Sequence, residues 1–251
     1  MAGIEFHDPC IRAVDGSTRI RSRLRALLAE ARREVLLSVP VEAVPLVRDR
    51  LETAIDNDVA VLLLLYGDGD LPADIDRLAT VVRRLPGRVP LTCLVDQWLT
   101  LLGWPWVLSD SSDDTLATFV DSSHVTLGLF GEFVGNYWSM GREIHVADPP
   151  ALPRHYPTFR GGVLGATLHL RQGSKIETTC KIAASGETAL PETELTGLIL
   201  DVRQGLVYPM TNRFPSENGM VLRVDGERVT VGGVGAYVED YAAESVTLEH
   251  A

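Results

Sequence analysis

The sequence predicts an α/β domain followed by a smaller domain made mostly of strands. Two patterns lead to this prediction. Helical and strand periodicities alternate three times before residue 96, which is typical of a parallel sheet with helices on its faces. After Gly161-Gly162 the apolar runs are short and separated by turns, as in a compact β domain. We therefore expect an α/β domain over residues 1–162 and a β domain over residues 163–251.

The elements of the α/β domain follow from apolar spacing and from glycine and proline stops. The predicted order is a helix over 20–31, a strand over 35–39, a helix over 44–55, a strand over 59–66, a helix over 74–85 and a strand over 89–95. Farther along we expect a polar turn at 110–114, paired strands over 116–120 and 125–130, and a short element within 137–146.

The β domain is expected to contain strands over 164–170, 176–183 and 196–208 before a final hairpin. Asp225-Gly226 stands between two alternating apolar runs, which predicts a tight type I′ turn. Gly232-Gly233 allows a close backbone approach, and Glu239, Asp240 and Tyr241 follow within ten residues. Carboxylates beside exposed backbone groups suit a polyhydroxylated ligand. The alternative is a surface hairpin with solvated acids.

Composition excludes several classes of protein. The 251 residues carry a net charge of -11, which argues against a nucleic-acid surface because phosphate binding needs clustered cations. Only Lys175 and Lys181 are lysines among the 23 cations; this suits a halophilic source, although arginine-rich, high-GC coding gives part of the same pattern. No apolar run approaches the eighteen or so residues of a membrane span, and no signal peptide is visible. We expect a cytoplasmic protein.

Metal, phosphate and hydrolytic motifs are also missing from the sequence. The three cysteines, Cys10, Cys93 and Cys180, are far apart and show neither metal-ligand nor disulfide spacing. The glycines at 67–69 are not followed by the Lys-Ser/Thr of a phosphate loop. No histidine has a lysine two residues later, so a phosphodiesterase that attacks phosphorus with histidine lacks its nucleophile and its cation. We expect no cofactor, no metal and no catalytic residue.

Two stretches resemble a known family. Arg33 to Pro40 and Val59 to Tyr66 look like the start of the effector domain of TrmB-type archaeal transcriptional regulators. Phe214 to Asn218, continuing to Tyr241, resembles the sugar-binding end of that domain. The resemblance implies a cytoplasmic sensor of mono- or oligosaccharides, in which a phospholipase-D-like α/β subdomain without catalysis precedes a small β subdomain. Sugar binding would change the DNA affinity of a separate winged-helix domain.

The same resemblance implies a set of sugar contacts. Asn218 and Glu239 would hydrogen-bond hydroxyl groups, Gly233 would offer backbone, and Val234 and Val238 would pack on the sugar face. Tyr237 stands where the family has a smaller apolar residue, so the ligand and its pose can differ. Ser139 is expected to contribute from the α/β half. These contacts are Asn218, Gly233, Val234, Tyr237, Val238, Glu239 and Ser139.

The chain departs from the family at its amino terminus. Residues 1–16 are too short for a winged helix, so we expect an excised effector domain or a stand-alone relative, with DNA reached only through a domain that this sequence lacks. Two other functions stay open. One is a hydrolase, either a degenerate phosphodiesterase or a carbohydrate hydrolase using Glu239 and Asp240. Adjacent acids on a strand point to opposite faces and make a poor pair. The other is a dimerisation module; a homodimer is compatible with the sequence.

Overall fold

The computed structural model describes residues 10–108, 115–183 and 194–251. The turn expected at 110–114 and the extreme amino terminus lie outside these residues. The chain forms two compact units, Met1–His145 and Val146–Ala251. The boundary expected at Gly161-Gly162 instead falls inside a helix of the second unit, because that helix packs on the second core.

In its described residues, the first unit contains three α-helices and a mixed eight-stranded sheet. Its elements are β1 (Cys10–Asp15), α1 (Ser17–Glu30), β2 (Glu34–Pro40), α2 (Val44–Asp56), β3 (Ala60–Tyr66), β4 (Val81–Leu85), β5 (Leu91–Val95), β6 (Leu99–Gly103), β7 (Leu116–Asp121), α3 (Ser123–Phe133) and β8 (Arg142–Val146). Short 3-10 turns cover Val41–Ala43 and Ile75–Arg77, and a π-helical turn covers Val134–Trp138.

The sheet order is β1-β7-β6-β5-β2-β3-β4-β8. Strands β2 and β3 are parallel, as predicted, and β4 pairs parallel to β3 although its residues were expected to be helical. In contrast, β5, β6, β7 and β1 join antiparallel, so the expectation that the strand over 89–95 continues a parallel sheet is wrong. The links after β4, β5 and β6 hold no crossover helix within the described residues, and a parallel return needs about a dozen residues or more.

Helices α1 and α2 cover one face of this sheet. The buried helical residues Ile20, Leu24 and Leu51 pack with Leu37 and Leu63 from the central strands. These positions are almost completely buried. Burial of each such side chain contributes roughly 1.5–3 kcal/mol to the free energy of folding. The apolar faces of the two predicted helices therefore hold the central parallel strands, and with them the carboxyl ends of those strands, in place.

Three predicted elements differ from the structure. Residues 74–85 form a 3-10 turn and strand β4 instead of a helix, because short apolar runs fit either period. Residues 125–130 belong to α3, whose buried residues Thr126, Phe130 and Phe133 follow helical spacing. Residues 164–170 belong to the helix α4 (Phe159–Arg171), at whose start the Gly161 amide donates to the Thr158 hydroxyl.

The second unit is a small β-barrel with α4 packed on it. Its strands are β9 (Arg154–Tyr156), β10 (Ile176–Ile182), β11 (Glu194–Arg203), β12 (Gly219–Val224), β13 (Glu227–Gly233) and β14 (Tyr241–His250). Strand order is β10-β11-β12-β13-β14-β9, and β10 also pairs with β14. That pairing closes the barrel. Phe159 and Val163 of α4 share a core with Met220, Leu222 and Val246.

The predicted hairpin is confirmed. Strands β12 and β13 are antiparallel, with Val224 opposite Glu227. Asp225 and Gly226 between them both have positive φ, 50° and 86°, as a type I′ turn requires. The hairpin fixes the register of β12 and β13, and therefore brings the residues before β12 beside those after β13.

Candidate functional site

The site is built on a pair of glycines at the open end of the hairpin. Gly219 of β12 lies directly opposite Gly232 of β13, so both lack a side chain on the same face. The Glu239 carboxylate fills this space. A Cβ on Gly232 would lie 2.9 Å from Glu239 Oε2, and one on Gly219 would lie 3.8 Å from Oε1. The glycine pair therefore seats the carboxylate against the barrel.

Asp240 holds the loop that carries Glu239. Its Oδ2 accepts hydrogen bonds from the Thr230 amide and the Thr230 hydroxyl, both at 2.8 Å. Its own amide donates to Thr230 Oγ1 at 3.0 Å. These bonds from Thr230 hold the pKa of Asp240 below its ordinary value. Glu239 and Asp240 thus lie in a loop, not on a strand as assumed from the sequence, and Asp240 is committed to fixing that loop.

An ion pair between a buried acid, Glu217, and an exposed arginine, Arg213, precedes β12. Glu217 is buried and its Oε1 accepts from Arg213 Nε at 2.8 Å and from Nη2 at 2.7 Å. The Arg213 amide donates to the other Glu217 oxygen. Burial alone would raise the pKa of Glu217, but the bonds from Arg213 and the charge of Arg203 lower it overall.

The negative charge of Glu239 also acts on the Arg213 guanidinium. Its pKa is raised first by the hydrogen bond to Glu217 and, to a smaller degree, by the charge of Glu239. The guanidinium therefore lies within electrostatic reach of both acids. Arg203, which also acts on Glu217, is paired with Asp201 at 3.3 Å. With two cations and three carboxylates, the cluster keeps one net negative charge.

The segment between β11 and Glu217 is held by Gln204. This side chain is buried and its Oε1 accepts from the amides of Leu206 and Val207 at 2.7 and 2.8 Å. Its Nε2 donates to the Val207 and Pro209 carbonyls. All of the amide's polar atoms are thus used within the segment, which gives Arg213 and Glu217 a fixed support.

An apolar surface follows the glycine pair. Val234, Tyr237 and Val238 are 73%, 89% and 54% exposed, although large apolar side chains favour burial. They occupy the loop between Gly233 and Glu239, whose turn is closed by the Ala236 amide donating to the Gly233 carbonyl. The arrangement presents apolar side chains and a carboxylate from one short loop.

Comparison with protein families covers nearly the whole chain. Residues 10–145 match the family described as transcriptional regulator TrmB, EBD N-terminal subdomain. Residues 151–251 match TrmB/TrmBL1, EBD C-terminal subdomain. The chain belongs to the TrmB family of transcriptional regulators. It is therefore a TrmB effector domain with both subdomains, and the two matched ranges agree with the two compact units. A search of curated proteins found no match.

Solved structures resemble parts of this TrmB domain. One is TrmBL2, an archaeal chromatin protein with a novel mode of DNA binding, with 18% identity, 57% of each chain covered and a TM-score of 0.44. Two others are Nuc, a phospholipase D family member from Salmonella typhimurium (13% identity, 55% of this chain and 99% of that chain, TM-score 0.44), and NucT from Helicobacter pylori (8% identity, 55% and 100%, TM-score 0.45). The TrmB chain thus spans just over half the length of TrmBL2.

Six of the expected contact residues lie at the barrel site of this TrmB domain: Asn218, Gly233, Val234, Tyr237, Val238 and Glu239. Asn218 is half-buried beside Gly219. A Cβ at Gly233 would lie 3.5 Å from the Phe159 ring, which is an ordinary van der Waals contact, so packing does not require a glycine at this position. Ser139 belongs to the first unit, is exposed, and donates its hydroxyl to the Gly135 carbonyl at 2.7 Å.

Sequence reasoning missed Glu217 in this site and named Gly232 only as one of the Gly232-Gly233 pair. The Glu239 carboxylate lies against Gly232, and only strand register distinguishes this glycine from its neighbour. Arg213 and Glu217 are four residues apart with opposite charge, which was a usable signal. Burial of Glu217 depends on the segment fixed by Gln204 and could not be read from spacing.

Within the described residues no helix is long and apolar enough to cross a membrane. In the same part of the chain, no cluster of three His, Cys, Asp or Glu side chains could hold a metal ion.

Proposed function

We propose that this TrmB effector domain binds a neutral mono- or oligosaccharide at the barrel site, without chemical conversion, as the input of a transcriptional regulator. The observation that carries the proposal is the placement of Glu239 over the Gly219–Gly232 pair, next to three exposed apolar side chains. A sugar ring presents hydroxyl groups at its edge and C–H groups on its faces. The site offers a partner for each.

Glu239 supplies the strong polar contact. A carboxylate accepts hydrogen bonds from hydroxyl groups, and charged acceptors bond about twice as strongly as neutral ones. The Asn218 amide adds a donor and an acceptor. Gly233 already accepts from Ala236, and its carbonyl keeps a second lone pair for a ligand. Val234, Tyr237 and Val238 would pack on the C–H faces.

The charge of the cluster favours a neutral ligand. Arg213 lies near Glu239, as an anionic ligand would require, but its guanidinium is engaged by Glu217 through two short bonds. The cluster retains a net negative charge, which repels a phosphate group. A sugar phosphate would have to displace Glu217 from Arg213 and leave a buried carboxylate unpaired.

The absence of turnover is supported by the use of the two acids. Asp240 is bound by Thr230, so it does not form an acid–base pair with Glu239. No histidine in the sequence is followed by a lysine two positions later. Hydrolysis of an aryl glycoside or a phosphodiester that is lost in Glu239→Gln would favour the hydrolase alternative. Sedimentation that shows a dimer indifferent to every sugar would favour the dimerisation module.

The proposal also covers the regulatory role of the domain, its location, its source, its assembly and one contact from the first unit. Family membership supports regulation of transcription in the cytoplasm, with DNA contacted by a winged-helix domain outside the residues described here. The acidic composition with two lysines supports a halophilic archaeal source. A homodimer is included as a further proposal. Ser139 is proposed as a sugar contact from the first unit.

Calorimetric titration with a panel of neutral sugars and their phosphates tests the proposal. A neutral sugar should release saturable heat, and Glu239→Gln should weaken its binding by about tenfold or more. Glu227→Gln is the matched control, since Glu227 is an exposed acid on the same hairpin. A panel without any heat, or equal binding by Glu239→Gln and the native protein, contradicts the proposal.

A further inference from the structure

The first unit contains a second concave region, at the carboxyl edge of its parallel strands. Its volume is about 860 Å³, within the usual range for small-molecule pockets. Pro40 and Tyr66, the last residues of β2 and β3, line it. Open α/β sheets place ligands outside the carboxyl ends of their strands. Every lining residue belongs to the first unit, so the cavity is separate from the barrel site.

The walls of this cavity are fixed by contacts within the protein. Arg84 donates to the carbonyls of Gly67 and Gly69 at 2.9 and 2.8 Å, which sets the loop after β3. The Tyr66 hydroxyl donates to the Pro105 carbonyl at 3.2 Å. Such contacts hold the walls in place before a ligand enters and reduce the ordering cost of binding.

One wall is aromatic. Trp106 lines the cavity and stacks on Trp104, with ring centroids 5.4 Å apart and planes 4° from parallel. Both rings are more than half exposed. The stacked pair offers a broad, flat apolar surface at the cavity, of the kind that binds the apolar body of a ligand.

Opposite charges face this cavity without pairing. Glu42 and Asp68 line it together with Arg88 and Arg21, and Arg21 is engaged by the Leu108 carbonyl, to which its Nη2 donates at 2.5 Å. Glu42 and Arg88 both act on the phenol of Tyr66: burial chiefly raises its pKa, Arg88 lowers it and Glu42 raises it. Within the described residues, neither Glu42 nor Arg88 has an ion-pair partner. Two opposite charges near one phenol, unpaired across a cavity, leave room for a ligand that carries both signs.

We propose that this cavity binds a small zwitterion with an apolar body, such as a free α-amino acid with an aromatic side chain. Its ammonium group lies at Glu42 and Asp68, its carboxylate at Arg88, and its side chain on Trp106. A simple anion would meet the two acids and a simple cation would meet the arginine, whereas a zwitterion pairs with both. The site gives the domain a second input, which does not depend on the sugar site.

Calorimetry and tryptophan emission on the whole chain test this proposal with three related probes. L-Phenylalanine should bind with saturable heat and a change in tryptophan emission. Phenethylamine lacks the carboxylate and 3-phenylpropionate lacks the ammonium group, so each should bind at least about tenfold more weakly. Glu42→Gln and Arg88→Gln should each weaken L-phenylalanine by a similar factor.

Arg12→Gln and Glu30→Gln are matched controls on exposed residues outside the cavity, and they should bind like the native protein. No response to L-phenylalanine, equal binding of the three probes, or native affinity in both cavity variants overturns the proposal. Sugar binding lost in Glu239→Gln but kept in Glu42→Gln would leave the sugar proposal standing, so the two proposals fail separately.

Discussion

Replacement of Gly232 by alanine should disturb the Glu239 seat without changing any charge. A Cβ at this position would lie 2.6 Å from the Ala236 Cβ, 2.9 Å from Glu239 Oε2 and 3.0 Å from its Cδ. The Ala236 Cβ is fixed by the backbone, so the loop itself must shift. At neighbouring Gly233 the nearest atom, in the Phe159 ring, would lie 3.5 Å away, which is an ordinary contact.

The expected magnitudes follow from these distances. Overpacking costs about 1–3 kcal/mol, and the reduced freedom of the unfolded chain offsets about 0.4–1 kcal/mol of this. The difference spans roughly 0–2.6 kcal/mol and centres near 1.3 kcal/mol, so Gly232→Ala should lose about that central amount of unfolding free energy. Gly233→Ala should stay within about 0.5 kcal/mol of the native protein. Displacing the Glu239 acceptor should also weaken sugar binding about tenfold or more.

Denaturant unfolding followed by far-ultraviolet circular dichroism measures the stability difference. Tryptophan emission is the internal control, because Trp98, Trp104, Trp106 and Trp138 all lie in the first unit. The first unit should therefore unfold alike in both variants. If Gly232→Ala and Gly233→Ala prove equally stable and bind sugar equally, Glu239 does not rest on the glycine pair and the geometry of the site is wrong.

Three more outcomes follow from the structure. The pKa of Glu217 in the folded protein lies below its ordinary value of 4.5, so the stability that this carboxylate contributes is fully present above pH 4.5 and is lost as the pH falls further. Glu217→Gln should therefore flatten the acid side of the curve of unfolding free energy against pH. A curve identical to that of the native protein would contradict this prediction. Asp240→Asn removes the charge from the hydrogen bonds that fix the loop carrying Glu239. It should lower the free energy of unfolding and the free energy of sugar binding by roughly 1 kcal/mol each, as measured by denaturation and calorimetry. Sugar binding at native strength would show that this loop does not belong to the binding site. Burial raises the pKa of Cys93 to about 12 and that of Cys180 to about 11. A thiol reagent at pH 8 should therefore modify only Cys10 until the protein unfolds. Rapid modification of all three cysteines would show that Cys93 and Cys180 are not buried.

The hairpin shows what sequence can specify. Asp225 and Gly226 adopt positive φ, few residue pairs do so readily, and the flanking alternation sets the register. Once the register is known, Gly219 must face Gly232. The sequence alone predicted a functional loop with Glu239 and a backbone contact at Gly233. It could not single out Gly232 as the position against which the Glu239 carboxylate lies, because the two neighbouring glycines are chemically identical and differ only in the face they occupy.

Helix α4 shows why other elements were missed. Gly161, Gly162 and Gly165 lie within it, and glycine costs about 1 kcal/mol in a helix interior. The structure explains Gly162, since a Cβ there would lie 2.8 Å from the Val246 side chain. Close packing on the barrel overrides the poor local propensity. Glu217 was missed for a related reason, because burial of an acid is decided by the tertiary contacts that surround it.

The most direct test of the sugar site is a titration of the isotopically labelled domain with a binding sugar, followed in the ¹H–¹⁵N correlation spectrum. If the sugar binds at the barrel site, the large shifts should fall on residues 217–219 and 232–240, with Gly219, Gly232 and the Glu239 amide among them. Gly67, Gly87 and Trp106 of the first-unit cavity should change little. Large shifts at that cavity with a silent 232–240 loop would contradict the central claim.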